Sequence, residues 1–177
     1  RYILDFLFEE VLQRQPAETQ SFLLQTSILE LLSAPLCQAV TQQENCQAVL
    51  EALERNNLFL ISVSDEKKWY RYHYLFRDLL KSRLKQSSPE LLPALHQRAS
   101  LWYAAGHYPE SAIRHALAAQ DFELAARQIE QVMHRLDQQN QQVLLSFWIS
   151  SLPPEVLESH PWLCLQRAWG DYWAGQR

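Results

Sequence analysis

Trp69-Tyr-Arg-Tyr-His73-Tyr-Leu-Phe-Arg-Asp-Leu-Leu-Lys-Ser-Arg-Leu84 decides how this chain is read. A short aromatic strand ends at His73 and passes directly into an amphipathic helix, Tyr74–Lys85, with Leu75, Leu79, Leu80 and Leu84 as its expected apolar face. Upstream, Leu58–Val63 reads as the partner strand, with Lys68–Tyr72 opposite it and Ser64-Asp65-Glu66 near the tip of the hairpin. Before the hairpin, Ala17–Thr26, Pro35–Val40 and Cys46–Arg55 have helical patterns, and Ile28–Leu32 is a short apolar connector. Ser33 and Asn45 stand where N-caps are expected, and Asn56-Asn57 ends the last of these helices. Helices, a two-stranded hairpin and a further helix make the layout of a winged helix.

Residues 1–16 read as a helix, Asp5–Leu12, leading in from a preceding domain and interrupted at Gln15-Pro16. The winged helix is expected over 17–88, with a boundary at Ser87-Ser88-Pro89. Residues 89–177 change style. Glu90–Ala105, Tyr108–Ala119, Asp121–Asp137, Gln141–Ser151 and Trp162–Gly175 are helical in pattern and joined by short links, so neighbouring helices are expected to run antiparallel. Small residues at Ala112, Ala116, Ala125 and Ala126 let helices approach closely, as in tetratricopeptide-like pairs. The fold class is therefore mainly α: a winged helix with a small β-hairpin, then a helical, TPR-like arm and repeat region. Arg1 and Gly175-Gln-Arg177 look like cuts within a longer protein.

Three glycines in 177 residues suit a helical chain and cannot form a phosphate-binding G-x-x-x-x-G-K-[ST] loop. A nucleotide-hydrolysing site is therefore not expected on this chain, which reads as a non-enzyme without metal. The histidines lack zinc-type spacing, and His115 reads as structural. The six tryptophans read as helix-core aromatics rather than a ligand cage. Cys37, Cys46 and Cys164 read as buried free thiols of a reducing, cytoplasmic setting. No apolar run approaches the ~20 residues that a membrane-spanning helix needs.

The net charge of −4 argues against a dedicated nucleic-acid binder. One cluster is basic: Lys67, Lys68, Arg71, Arg77, Lys81, Arg83 and Lys85, diluted by Asp65, Glu66 and Asp78. It reads either as a solvated face or as a surface that meets phosphate or another domain. His73 is the candidate site residue. An imidazole can donate a hydrogen bond to a phosphate oxygen, or to a nearby carbonyl in a purely structural role.

The order of these pieces resembles one family. Leu58-Phe59-Leu60, the Trp69 run with Tyr72-His73-Tyr74-Leu75-Phe76, then Ala99-Ser-Leu-Trp102, Ala112-Ile-Arg-His-Ala116 and Leu152-Pro153 are similar to the MalT-like, LuxR-type regulators of the STAND class of signalling ATPases. The family usually has Pro or another residue after the histidine, where this chain has Tyr74. The resemblance implies that His73 contacts the β-phosphate of ADP in a closed resting state, with ATP or ADP bound to the longer protein and no cofactor on this chain. It also implies an ATPase module upstream, a sensor downstream answering a small-molecule or protein inducer, and DNA contact only through a distant C-terminal helix-turn-helix. The alternatives are a free-standing winged-helix DNA-binding regulator, whose reading helix would be Cys46–Arg55, and a helical-repeat scaffold for protein interactions.

Overall fold

The computed structural model describes residues 12–56, 59–63, 69–138 and 141–175. The expected helix Asp5–Leu12 therefore lies outside the described residues except at Leu12, as do Asn57, Leu58 and the hairpin tip from Ser64 to Lys68. The chain divides into two compact units, residues 1–99 and 100–177.

In the first unit the helices are α1 (Ala17–Thr26), α2 (Ala34–Thr41) and α3 (Cys46–Arg55). Strands β1 (Leu60–Ser62) and β2 (Tyr70–Tyr72) follow, then α4 (Tyr74–Ser87), a 3₁₀ turn at Pro89–Leu91 and α5 (Leu92–Ala105), whose last residues, from Ser100, belong to the second unit. β1 and β2 are antiparallel, with Leu60 opposite Tyr72, Ile61 opposite Arg71 and Ser62 opposite Tyr70. The other edge of β2 is also paired. Leu32 and Tyr70 exchange two backbone hydrogen bonds of 2.8 Å each, so the expected connector Ile28–Leu32 ends as a one-residue third strand. That pairing is long-range, and local pattern does not reveal it.

The buried stripe of α4 is Phe76, Leu80 and Leu84, with Tyr72 one turn before it. This corrects the expected face: Leu75 is exposed and Leu79 half-buried. Four-residue spacing keeps the buried set in line, and Leu75 falls about 100° off that line. The core of this unit is apolar and closely filled by Phe22, Leu23, Leu29, Leu36, Leu50, Tyr70 and Leu80, each fully buried. The expected caps are not made. Ser33 and Asn45 occupy the N-cap positions, but neither side chain bonds the helix, and the Ser33 hydroxyl is buried without a partner.

The second unit contains α6 (Pro109–Ala118), α7 (Phe122–Gln138), α8 (Gln142–Ser150), α9 (Pro154–Glu158) and α10 (Pro161–Gly175). The short α9 lies between the expected helices Gln141–Ser151 and Trp162–Gly175, where only a link was read; Pro154 at its first position is compatible with a helix start. Asp121 caps α7, accepting a 3.1 Å hydrogen bond from the Leu124 amide. Ala112, Ala116, Ala125 and Ala126 are almost fully buried between α6 and α7, so small side chains do set that crossing. His115 is buried and stacks on Tyr103 at 5.5 Å, in keeping with a structural role.

Two expectations fail here. Trp148 is a core residue, but Trp162 and Trp169 are 66% and 58% exposed. The packed side of α10 carries Leu163 and Gly170, and positions 162 and 169 each lie one residue away from it. Cys164 is also exposed, whereas Cys37 and Cys46 are buried. Burial pushes both of those thiols above the ordinary cysteine range. A thiol reagent added to the folded chain is therefore expected to label Cys164 quickly and Cys37 only after unfolding. Equal native rates at Cys37 and Cys164, read by mass spectrometry, would contradict this packing.

Candidate functional site

His73 stands where β2 becomes α4. Its backbone is extended (φ −56°, ψ 136°), and its side chain makes no capping bond to the helix. The backbone fixes it from both sides. The His73 amide donates to the Phe59 carbonyl at 2.7 Å, and the His73 carbonyl accepts from the Arg77 amide at 3.0 Å. Phe59 adopts φ 54°, a left-handed conformation that is unusual for a bulky side chain. Its ring stacks on Phe76 at 5.1 Å, which holds the strained residue in place while its carbonyl meets His73.

One residue earlier, Tyr72 anchors the strand in the core. The Thr26 hydroxyl donates to the Phe22 carbonyl at 2.7 Å, so Tyr72 supplies the proton in its own 2.7 Å bond to Thr26. Burial pushes the Tyr72 phenol above its ordinary pKa, which keeps it a neutral donor. Alternation along β2 buries Tyr70 and Tyr72, and the chain turns at His73 so that this side chain is half-buried beside the open surface.

The surface there is an open hollow of about 610 Å³, lined by Glu30, Leu31, Ile61, Arg71, Tyr72, His73, Tyr74 and Arg77. Tyr74 lies tilted against the imidazole, with ring centres 4.7 Å apart. Four-residue spacing places His73, Arg77, Lys81 and Lys85 along one flank of α4, beside the buried Tyr72–Phe76–Leu80–Leu84 stripe. Burial lowers the Lys81 pKa first, and the neighbouring Arg77 charge lowers it further; Asp78 and Glu30 offset part of this. The hollow also opens near the start of α4, where the first amides have no intrahelical acceptor and the helix dipole is positive. The site can thus accept an anion through an imidazole and two guanidinium groups.

The basic cluster read from the sequence is in this way sorted: Arg71 and Arg77 line the hollow, whereas Lys67 and Lys68 lie outside the described residues. The sequence reading missed His160. It is buried between two carboxylates of α7, with Nε2 3.3 Å from Glu123 and Nδ1 3.0 Å from Glu130. Its place just before Pro161, at a helix start, was the available signal; the seven-residue spacing of the two glutamates matters only once α7 and α10 are packed. A smaller hollow of about 260 Å³ in the second unit is lined by His107, Gln128 and Gln131 among alanine, proline and valine. Beneath it Gln128 donates to Ser100 at 2.9 Å.

Three helices, a paired wing and a fourth helix define the first unit as a winged helix, with a histidine-centred cationic hollow at the wing–helix joint. Residues 8–92 match the family described as the MalT winged helix domain, and over that stretch the chain belongs to this family. The chain is 35% identical over 168 residues to the HTH-type transcriptional regulator MalT of Serratia proteamaculans, covering 95% of this chain and 19% of that protein. MalT of Klebsiella pneumoniae (strain 342) is equally similar, at 35% with the same coverage. The serine/threonine-protein kinase PknK of Mycobacterium tuberculosis (H37Rv) is also 35% identical, over 96% of this chain and 15% of the kinase. The chain therefore spans less than a fifth of the length of these relatives.

Proposed function

We propose that this chain is the switch segment of an ATP-dependent, inducer-responsive transcriptional regulator of the STAND class. Its winged helix holds the resting state by placing His73 against a phosphate of ADP bound to an ATPase module elsewhere in the longer protein. The helical region after it couples an inducer-binding sensor to that lock. DNA contact belongs to another part of the protein. The chain works in the cytoplasm and hydrolyses no nucleotide by itself; among its described residues no helix is long and apolar enough to cross a membrane.

The observation that carries this reading is the placement of His73. It is fixed by backbone bonds on both sides, makes no capping bond, and lines a hollow with Arg71 and Arg77. A ligand that shifts a two-state equilibrium must favour one state, and a phosphate contact made only in the closed arrangement does so. The decisive test is ADP release from the longer protein, compared with the His73→Leu variant.

The relatives' names, which describe HTH-type regulators and a kinase, leave a DNA-binding role for this winged helix as the second reading. α3 speaks against it. Its exposed face carries Glu51, whose side chain accepts a 2.8 Å hydrogen bond from Gln47, and whose carbonyl accepts from Arg55. The glutamine that would read a base is thus tied to a carboxylate that repels the duplex. No sequence-selective binding of duplex DNA is expected at about 150 mM salt, where screening acts over about 8 Å. A specific complex seen by fluorescence anisotropy under that condition would favour the second reading.

A further inference from the structure

We propose that Arg77 is a second anion ligand of the hollow, so that His73 and Arg77 together form a clamp for a diphosphate group. The proposal rests on the reading of His73 as a phosphate contact and adds the residue that would give that contact its charge. Arg77 follows His73 by one helical turn, its amide bonded to the His73 carbonyl at 3.0 Å, and both side chains line the same hollow. The Arg77 Nε is buried and has no hydrogen-bond acceptor. The Asp78 carboxylate lies 3.9 Å from it, beyond hydrogen-bonding distance, and is largely exposed. The guanidinium is partly exposed and only loosely paired with Asp78, so its Nε lacks a hydrogen bond that an anion entering the hollow could supply.

Charge crowding points the same way. Lys81 lies one further turn along, and like charges four residues apart on a helix repel. Burial first, and then the Arg77 charge, lower the Lys81 pKa, in keeping with cations that lie close together on this flank. Glu30 lines the hollow as well and offsets part of this field, so Arg71 and Arg77 together supply the net positive charge that an anion would meet there. A guanidinium can grip a phosphate with two parallel hydrogen bonds while the imidazole supplies a single donor, and this suits two adjoining phosphate groups.

The test is a titration of this chain with inorganic pyrophosphate at constant ionic strength, followed by NMR of the Arg77 Nε–Hε and His73 ring resonances. Both are expected to shift with one midpoint. Arg77→Gln is expected to weaken binding about tenfold, the loss of one charge-assisted contact. Arg77→Lys, which keeps the charge but loses the two-pronged grip, is expected to fall between the two. Circular dichroism checks that each variant folds, and Arg77→Lys carries the test if Arg77→Gln does not. A parallel titration with ADP identifies the source: a shift of the same two resonances supports a nucleotide diphosphate. If pyrophosphate moves His73 but not Arg77, the clamp is wrong and the His73 contact stands. If it moves Arg77 but not His73, the paired clamp is wrong and the His73 reading loses its support. If neither resonance moves, no diphosphate clamp exists on this chain.

Discussion

Replacing His73 with leucine is expected to weaken ADP retention by the longer protein about tenfold to a hundredfold. One hydrogen bond to a charged group contributes roughly 1.5–3 kcal/mol, which converts to that range of affinity. The resting state loses the same free energy relative to the active one, so activity without inducer should rise. The substitution is a clean one structurally. The His73 side chain makes no capping bond, and its backbone bonds to Phe59 and Arg77 do not depend on the imidazole. The isolated chain should accordingly lose no more than about 1 kcal/mol of stability, since the half-buried ring gives up its contact with Tyr74 but no hydrogen bond to the helix. Nucleotide dissociation and inducer dependence are the measurements. If neither changes, His73 is a structural residue; if the isolated chain unfolds, the lost retention reports stability and not contact.

Phe22→Ala is expected to have the largest effect on the fold. Phe22 is fully buried in α1, and its carbonyl accepts the Thr26 bond that in turn receives the Tyr72 phenol. Removing a buried phenylalanine ring costs about 3–5 kcal/mol, because apolar contact is lost and a cavity remains. For a unit of this size each kcal/mol is about 4–8 °C in Tm, so the winged helix should melt more than about 12 °C lower. Urea unfolding followed by circular dichroism provides the free energy, and the urea dependence should keep its slope. A loss below about 1.5 kcal/mol would mean that the α1 packing is wrong. Comparison with His73→Leu separates the two kinds of residue: one should change stability and leave little direct trace on phosphate contact, the other the reverse.

Much of this architecture was legible along the chain. The run into α4, the three preceding helices and the closely linked helices of the second unit follow from periodicity, proline placement and the scarcity of glycine. Asp121, an aspartate just before the helix, caps α7 within its own turn. Ser33 and Asn45 misled because the same residue types also occur at helix starts without bonding them. The Leu32–Tyr70 pairing was not legible, since its partners are 38 residues apart and a pairing of one residue leaves no pattern in the Ile28–Leu32 stretch.

The candidate site divides in the same way. Sequence alone singled out His73, through its position at a strand–helix joint and the resemblance of the residues around it, and it placed Arg71, Arg77 and Lys81 within one basic cluster. Only packing decided which of those cations face the hollow, because that depends on which side of α4 the core claims. Once Tyr72, Phe76, Leu80 and Leu84 are buried, the next position in each turn lies beside them; His73, Arg77 and Lys81 are half-buried there, and of these His73 and Arg77 line the hollow. Exposure of Trp162, Trp169 and Cys164, and the seat of His160 between Glu123 and Glu130, were likewise settled by tertiary structure. Composition reports that a side chain is apolar or titratable; which neighbour it meets is determined by how the helices pack.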